Sequence, residues 1–242
     1  MASSNRNTAH RDQDCTLVIM AKAPRPGMVK TRLRRSLPSP AVTALYGCLL
    51  HDTVTLAKSL NGVKVAIVCP ASDRDELERL LGNAVEIVAQ TGEGLAAGLI
   101  SVFGHFAGAV RRRVIAFNSD SPHLLPSVLD SAFQALATCD LVVGPTYDGG
   151  YYLVGAKAVH PTLFENDGLG TASALDRLLT RARDLELSAV LTEPFYDIDV
   201  ADDLIRLARE LRLAPARAPR TAAWFAVWGP TVVKLPPRAG EV

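Results

Sequence analysis

The sequence predicts a three-layer α/β fold, in which helices cover both faces of a mainly parallel sheet. Short apolar runs alternate with amphipathic segments along most of the chain, a pattern that indicates repeated strand–helix–strand units. Several of these runs are apolar at nearly every position, which is typical of strands buried on both faces. The chain has 242 residues, 48% hydrophobic and 21% charged, so it is long and apolar enough for a substantial core.

The first strand is predicted over residues 15–21, a nearly continuous apolar run. It leads into a basic loop that is too rich in Pro and Gly to form a helix. Ser39 is then the expected N-cap of the first helix, with Pro40 at the first helical position. Apolar residues recur behind it along one helical stripe, as a core-facing helix requires.

The alternation continues to residue 211. Apolar runs predict further strands over residues 63–69, 84–89, 113–118, 140–145, 150–156 and 185–191. The segments between them predict helices over residues 72–82, 94–109, 126–137, 171–183 and 200–211. Residues 1–14 are expected to be a disordered tail, residues 15–211 one domain, and residues 212–242 a C-terminal extension. The run WFAVWGPTVVKL in that extension suggests an appended hairpin or an oligomer contact.

Composition excludes several classes of protein. The formal net charge is +1, so no global field favours nucleic acid or an acidic membrane surface. No apolar run approaches the roughly 20 residues that a bilayer requires, and the N-terminus lacks the apolar core of a signal peptide. The 4 cysteines show no CxxC spacing, which favours reduced thiols over disulfides or a zinc site. We therefore expect a cytoplasmic protein.

A cluster of cations follows the first strand, in the segment AKAPRPGMVKTRL. In open parallel sheets, ligands bind outside the carboxyl ends of the strands. Lys22, Arg25, Lys30 and Arg32 lie in this position, and Gly27 lets the backbone turn and approach a ligand closely. This arrangement suits a polyphosphate, although it lacks the contiguous GK[ST] of a Walker A loop. The alternative is a solvated basic loop without a ligand.

Carboxylates follow two other predicted strands. Asp120 comes directly after an apolar strand in NSDSPHL, and Asp197 and Asp199 precede the last amphipathic helix in YDIDVADDL. One or two carboxylates combined with substrate phosphates are the usual ligands of Mg²⁺. The alternatives are that Asp120 is a turn residue and that Asp199 is an N-cap, with Asp202 as its capping-box partner.

Two glycine-rich segments are ambiguous by themselves. Asp148-Gly149-Gly150 indicates a tight hairpin turn. QTGEGLAAG, residues 90–98, resembles a dinucleotide-binding loop, but it follows the third strand rather than the first and leaves the basic loop without a role.

Four segments together, AKAPRPGMVKTRL, NSDSPHL, GPTYDGGYYLVG and YDIDVADDL, resemble the glycosyltransferase-A-like family of nucleotide-diphospho-sugar transferases. This family includes a domain of unknown function and arsenosugar-associated glycosyltransferases. It is distantly similar to the guanylyltransferases of molybdenum-cofactor and phospholactate chemistry. The resemblance covers about residues 15–211 and implies a Rossmann-like sheet of the glycosyltransferase-A type. The chain departs from the family pattern in the segment after Gln90, where Gly94-Leu95-Ala96 and Gly98 replace an Asp-Leu-Gly run and an Arg.

The resemblance also implies roles for individual residues. Phosphate binding is implied for Lys22, Gly27, Lys30 and Arg32. Proximity to the nucleotide is implied for Ala21 and Gln90, and proximity to the acceptor for Asp148, Gly149, Gly150 and Tyr151. Metal binding, with Mg²⁺ or Mn²⁺ as the cofactor, is implied for Asp120 and Asp199. The expected catalytic residues are Lys30, Arg32 and Asp120.

These expectations lead to three functional hypotheses. The first is a metal-dependent nucleotidyltransferase that moves a nucleotidyl group from a nucleoside triphosphate to a small phosphorylated acceptor. The second is a glycosyltransferase with a nucleotide-sugar donor, for which Asp148 is a candidate base. The third is a nucleotide-binding protein without catalysis. The expected partners are a nucleotide and a small-molecule acceptor, with neither nucleic acid nor membrane, and a homodimer is one possible assembly.

Overall fold

The computed structural model describes residues 14–108, 112–165 and 172–232. The strands of its seven-stranded sheet are β1 (Cys15–Met20), β2 (Lys64–Cys69), β3 (Glu86–Ala89), β4 (Arg113–Asn118), β5 (Leu141–Pro145), β6 (Tyr151–Ala156) and β7 (Ala189–Leu191). The helices are α1 (Ser39–Lys58), α2 (Arg74–Leu81), α3 (Gly94–Phe106), α4 (Pro126–Ala135), α5 (Ala174–Asp184), α6 (Ala201–Leu213) and α7 (Pro219–Val232). The predicted tail of residues 1–14 lies outside the described residues, apart from Asp14.

The order of the strands is β3-β2-β1-β4-β6-β5-β7. Only β6 runs antiparallel to its neighbours, β4 and β5, whereas the other neighbouring strands pair in parallel. The prediction of a mainly parallel α/β sheet is therefore confirmed. Because β1, β2, β3 and β4 are parallel, their carboxyl ends meet at one edge of the sheet, and the loops that follow them converge there.

The sheet has a hydrophobic core on each face. Leu17 and Ile19 of β1 point to the face covered by α1, α2 and α4. Val18, between them, points to the opposite face, which α3 and α5 cover. This alternation explains why the strand is apolar at every position except Thr16, since the side chains on both faces are buried.

Within the C-terminal extension, Pro219–Val232 form a helix, so the hairpin alternative is wrong for the described part of this segment. Helix α7 packs with α1 and α6 around a third apolar cluster, and Trp224 donates its indole N–H to the carbonyl oxygen of Ala41 at 3.1 Å. The buried carboxylate of Asp52 accepts the backbone N–H groups of Arg220 and Thr221, at 3.2 and 2.8 Å. These bonds satisfy donors at the N-terminus of α7 and attach it to α1. Residues 233–235 of the run lie outside the described part of the chain.

Two features near element ends differ from the sequence-based expectation. Ser39 is the first residue of α1 rather than its N-cap; Pro38 occupies that position, and no side chain caps the helix. The last strand is short, Ala189–Leu191, because the backbone N–H groups of residues 185–187 donate instead to carbonyl oxygens in the last turn of α5. Within the described residues, none of the helices combines the length and apolar character needed to cross a membrane.

Candidate functional site

A cleft of about 780 Å³ opens at the carboxyl ends of β1, β2 and β4. Seven of the residues implied by the resemblance line it: Ala21, Lys22, Lys30, Arg32, Gln90, Asp120 and Asp199. Gly27, Asp148, Gly149, Gly150 and Tyr151 do not line it. The structure therefore brings together the predicted phosphate residues apart from Gly27, the nucleotide residues and the metal residues. The predicted acceptor residues follow β5 at the same edge of the sheet, outside the lining of the cleft.

Lys30 is the innermost cation of the cleft. Its backbone adopts the left-handed conformation, with φ 46° and ψ 46°, directly before the 3-10 turn Thr31–Arg35. Val29 and Leu33, on either side of it, are buried and fix the loop against the core. The Lys30 side chain is only 7% exposed, and its Nζ lies 2.7 Å from Oδ2 of Asp120. A long cationic side chain is thus held inside the cleft by a sparsely populated backbone conformation.

Asp120 and Asp199 lie side by side although they are far apart in the chain. The backbone N–H of Ile198 donates to the carbonyl oxygen of Asp120 at 3.3 Å, which joins the two segments. Asp199 Oδ1 lies 4.0 Å from Nζ of Lys30, and Asp199 Oδ2 accepts from Nη1 of Arg32 at 2.5 Å. Lys30 therefore faces both carboxylates, and Arg32 contacts Asp199 alone of the two.

Helix α6 begins without using the Asp199 side chain. The N-cap is Val200, and the carboxylate of Asp203 accepts the backbone N–H groups of Asp199 and Val200 at 2.9 and 2.7 Å. The predicted capping pair of Asp199 and Asp202 is therefore wrong, because Asp203 performs the capping. As a consequence, the carboxylate of Asp199 is available to the cleft.

The charges in this cluster shift two pKa values. Burial disfavours the Lys30 ammonium, but the surrounding carboxylates, Asp120 foremost, outweigh this effect and raise its pKa. Burial, with a smaller contribution from the charge of Asp120, raises the pKa of Asp197 to about 6, although Lys30 opposes the shift. A cationic Lys30 is thus the stable form, and Asp197 titrates closer to neutrality than an ordinary carboxyl.

Tyr46 is a cleft residue that the sequence analysis missed, because it falls on the apolar stripe of α1. Its hydroxyl oxygen accepts the backbone N–H of Lys22 at 3.0 Å and shares a hydrogen bond of 3.1 Å with Oγ of Ser119. Thr53, two turns further along α1, donates to the carbonyl oxygen of Ser119 at 3.2 Å. Helix α1 therefore anchors the residue that precedes Asp120. Burial raises the pKa of Tyr46, so the hydroxyl stays protonated.

Gln90 shapes the opposite wall of the cleft. Its Nε2 donates to the carbonyl oxygens of Gly92 and Gly94, at 3.0 and 3.1 Å, so both amide hydrogens hold the loop that leads into α3. Its backbone N–H donates to the carbonyl oxygen of Cys69 at 2.8 Å. Gln90 therefore fixes the loop beside the cleft through its own side chain.

Arg25 does not contribute to the cationic wall, although it belongs to the same basic loop. Its guanidinium donates to Asp73 and Glu76, both at 2.7 Å, and to the carbonyl oxygen of Ser72 at 2.8 Å. Gly27 lies at the turn of the loop with φ 81°, a conformation that favours glycine. Both residues thus shape the loop, and the cations of the loop that line the cleft are Lys22, Lys30 and Arg32.

The Asp148-Gly149-Gly150 segment forms the predicted hairpin between β5 and β6. Oδ1 of Asp148 accepts the hydroxyl of Thr146 at 2.5 Å and the backbone N–H of Gly150 at 3.2 Å. Gly149 has φ 87°, and a Cβ there would collide with the carbonyl oxygen of Ala172. The hairpin conformation therefore requires both Asp148 and Gly149, and their proximity to an acceptor stays a prediction.

The residues of the cleft fit a divalent cation that arrives with a ligand. Across residues 14–108, 112–165 and 172–232, no group of three or more His, Cys, Asp or Glu side chains is placed to hold a metal ion. Mg²⁺, however, usually takes one or two carboxylates and completes its shell with water and substrate phosphates. Asp120 and Asp199 provide this minimal set of oxygen donors, so the site suits Mg²⁺ or Mn²⁺ bound together with a polyphosphate.

Comparison with protein families supports the resemblance found in the motifs. Residues 53–171 match the family described as "Uncharacterized protein conserved in bacteria (DUF2064)". This segment includes Gln90, Asp120 and the β5–β6 hairpin, but not the basic loop or Asp199. No curated protein matches the chain.

Solved structures share the fold over most of the chain. A protein of Desulfovibrio desulfuricans G20, provisionally named a nucleotide-diphospho-sugar transferase, is 24% identical with a TM-score of 0.83, covering 91% of this chain and 97% of that one. The 4-diphosphocytidyl-2C-methyl-D-erythritol synthase of Anaerococcus prevotii DSM 20548 is 14% identical with a TM-score of 0.53, covering 84% and 99%. The inositol-1-phosphate CTP transferase of T. maritima is 16% identical with a TM-score of 0.55, covering 79% and 91%. These structures confirm the fold that the resemblance implies.

Proposed function

We propose that this chain is a metal-dependent nucleotidyltransferase, which transfers a nucleotidyl group from a nucleoside triphosphate to a small phosphorylated acceptor and releases pyrophosphate. The observation that carries this proposal is the position of Lys30. Its ammonium lies inside the cleft, 2.7 Å from Asp120 and 4.0 Å from Asp199, and Arg32 lies at the rim. Cations and carboxylates alternate here as a polyphosphate with a divalent cation requires.

The reaction needs little covalent chemistry from the protein. An oxygen of the acceptor phosphate attacks the α-phosphorus of the triphosphate, and the bond from that phosphorus to the α–β bridging oxygen breaks. Lys30 and Arg32 neutralise the charge that develops on the leaving pyrophosphate. Asp120 and Asp199 would hold the divalent cation, which supplies Lewis-acid stabilisation of phosphate oxygens when it is bound.

The shape of the cleft supports a nucleotide as the ligand. Its volume of about 780 Å³ lies within the range of small-molecule and cofactor sites. The cations occupy one end, and the wall formed by Pro70, Ser72 and the loop at Gln90 provides space for the remainder of the nucleotide. The names of the Anaerococcus prevotii and T. maritima proteins, which share the fold, refer to cytidyl and CTP chemistry.

Glycosyl transfer from a nucleotide sugar is the second candidate. The name of the Desulfovibrio desulfuricans protein, whose TM-score is 0.83, favours it. Asp148, the candidate base, argues against glycosyl transfer. One of its carboxylate oxygens accepts hydrogen bonds within its own turn, and the residue does not line the cleft. The two reactions release different products, pyrophosphate in the first and a nucleoside diphosphate in the second.

The test is to incubate the purified chain and Mg²⁺ with each of the four nucleoside triphosphates, or with nucleotide sugars, and a panel of phosphorylated acceptors. We expect pyrophosphate release with one triphosphate. Lys30→Asn should lower kcat/KM by about 100-fold or more, because a cation next to the leaving group is lost while Asn tolerates the left-handed backbone.

Lys64→Gln is the matched control, since it removes a lysine from a surface ion pair with Glu86 outside the cleft. It should leave kcat/KM unchanged. Release of a nucleoside diphosphate from a nucleotide sugar would replace the proposal with the glycosyl-transfer candidate. Nucleotide binding without turnover would indicate a non-catalytic protein.

A further inference from the structure

Two cations of the cleft, Lys30 and Arg32, are already paired with carboxylates that we assign to the divalent cation. Lys30 lies 2.7 Å from Asp120 and 4.0 Å from Asp199, and Arg32 contacts the second oxygen of Asp199 at 2.5 Å. Lys30 and Arg32, which would bind phosphate, are therefore paired with the two carboxylates that would bind the metal ion. A ligand that engages either set must first separate these pairs.

Burial makes this separation unfavourable for a single ligand. The side chains of Lys30 and Asp120 are 7% and 20% exposed, so water cannot readily solvate either charge after the other has found a new partner. A metal ion alone would take Asp120 and Asp199 and leave the buried Lys30 ammonium with Asp197 as its remaining nearby carboxylate. A polyphosphate alone would take Lys30 and leave the carboxylates facing an anion. Both outcomes leave a poorly solvated charge with less compensation than it has in the free cleft.

We infer that the cleft takes a polyphosphate and a divalent cation as one unit and binds either component weakly by itself. When both arrive, Lys30 and Arg32 transfer to phosphate oxygens while Asp120 and Asp199 transfer to the cation. Each of these four side chains then has a partner of opposite charge. This inference rests on the proposed function for the assignment of the two carboxylates to metal, and it adds that the lysine and arginine control when metal binds.

The coupling also selects among ligands. A free divalent cation, or an anion that brings no cation, cannot complete the exchange of partners. A metal-complexed di- or triphosphate can, because it brings both charges together. The site therefore discriminates against uncomplexed nucleotide by the thermodynamics of its own ion pairs, and the two affinities are linked reciprocally.

Calorimetric titration of the purified chain tests this inference without an acceptor and without turnover. The probes are Mn²⁺ alone and, in metal-free buffer, tripolyphosphate alone, so the nucleobase need not be known. In Lys30→Asn we expect Mn²⁺ to bind about tenfold more tightly than in the wild-type chain, because the competing ammonium is gone. Tripolyphosphate should bind about tenfold more weakly, because its cation is gone.

Two further variants make the result specific. Arg32→Gln should change both affinities in the same directions by smaller factors, because Arg32 is 59% exposed and the fold does not depend on burying it. Lys64→Gln, which removes one positive charge at a surface pair, should change neither affinity. If Lys64→Gln changed the Mn²⁺ affinity as much as Lys30→Asn does, the effect would come from the net charge of the chain alone. This result would overturn the inference.

The inference also fails if Mn²⁺ binds Lys30→Asn and Arg32→Gln no more tightly than it binds the wild-type chain, or if it binds none of them. The proposed function is judged separately, by pyrophosphate release from triphosphates. Opposite shifts of the two affinities without any pyrophosphate release would retain the coupled site and reject nucleotidyl transfer. Pyrophosphate release without those shifts would retain nucleotidyl transfer and reject the coupled site.

Discussion

The cleft and the β5–β6 hairpin each carry an aspartate just beyond a strand, but the two carboxylates have different kinds of partner. Asp120 follows β4 and pairs at 2.7 Å with Lys30, a residue from a loop far away in the chain. Asp148 follows β5 and accepts from Thr146 and Gly150, two residues away on either side. In the sequence, both segments combine an acid with turn-forming residues.

The difference shows what separates a turn residue from a site residue. Local hydrogen bonds to Thr146 and Gly150 explain Asp148 through the backbone geometry of its hairpin. Asp120 has a long local hydrogen bond from Oγ of Ser119, at 3.4 Å, but its shorter contact, at 2.7 Å, is with a buried cation that folding had to desolvate. Long-range ion pairs at a sheet edge therefore indicate a ligand site better than the acid itself does.

The largest expected effect comes from exchanging the two acids for their amides. Asp120→Asn should lower kcat/KM for pyrophosphate release by about 100-fold, because it removes a charge that faces Lys30 and the metal. Asp148→Asn keeps an oxygen that can accept from Thr146 and Gly150, so kcat/KM should stay within about threefold of the wild-type value. Steady-state kinetics of both variants checks the contrast. If Asp148→Asn alone caused a large rise in the KM for the acceptor, the hairpin would be part of the acceptor-binding site.

The pKa of Asp197 depends on both the cleft and the hairpin. Burial raises it most, and the charges of Asp120 and Asp148 raise it further. Its pKa is about 6 in the folded chain and about 3.9 in unfolded peptides, so the folded state binds more protons between these values. The free energy of unfolding should therefore fall as pH rises from about 4 to about 6.

Asp197→Asn should remove about 1–2 kcal/mol of that fall, as measured by urea unfolding at several pH values. If the wild-type chain and the variant change in parallel over this interval, the carboxyl of Asp197 is not buried as the structure shows.

The smallest expected effect concerns the anchoring of the cleft by α1. Tyr46→Phe leaves the backbone N–H of Lys22 without its acceptor and removes the link to Ser119, so unfolding should require about 1–2 kcal/mol less. Tyr147→Phe is the control at the hairpin, because Tyr147 is 66% exposed and should change stability by less than about 0.5 kcal/mol. Urea denaturation measures both. Equal losses would mean that the cleft is anchored no more firmly than the hairpin.

Most of the fold follows from local patterns that the sequence displays. Apolar runs located the strands, and the Asp148-Gly149-Gly150 signal predicted the hairpin. The errors lie where several residues compete for one local role. Asp199 and Asp203 both precede or open α6, and only the folded backbone decides that Asp203 reaches the free N–H groups. In the same way, WFAVWGPTVVKL carries no clear periodicity, and its helix depends on packing against α1.

The sequence alone determined the class of fold and which loops meet at one edge of the sheet, because strand periodicity and parallel connection are properties of neighbouring residues. Only the tertiary structure decided which charges meet there. Lys30 contacts Asp120 and Arg32 contacts Asp199, whereas Arg25 pairs with Asp73 outside the cleft. Tyr46 lies in the cleft although it belongs to an apolar helix face. The physical reason is that the energy of an ion pair depends on the distance and the solvent between its charges, and both of these are fixed by packing between distant segments.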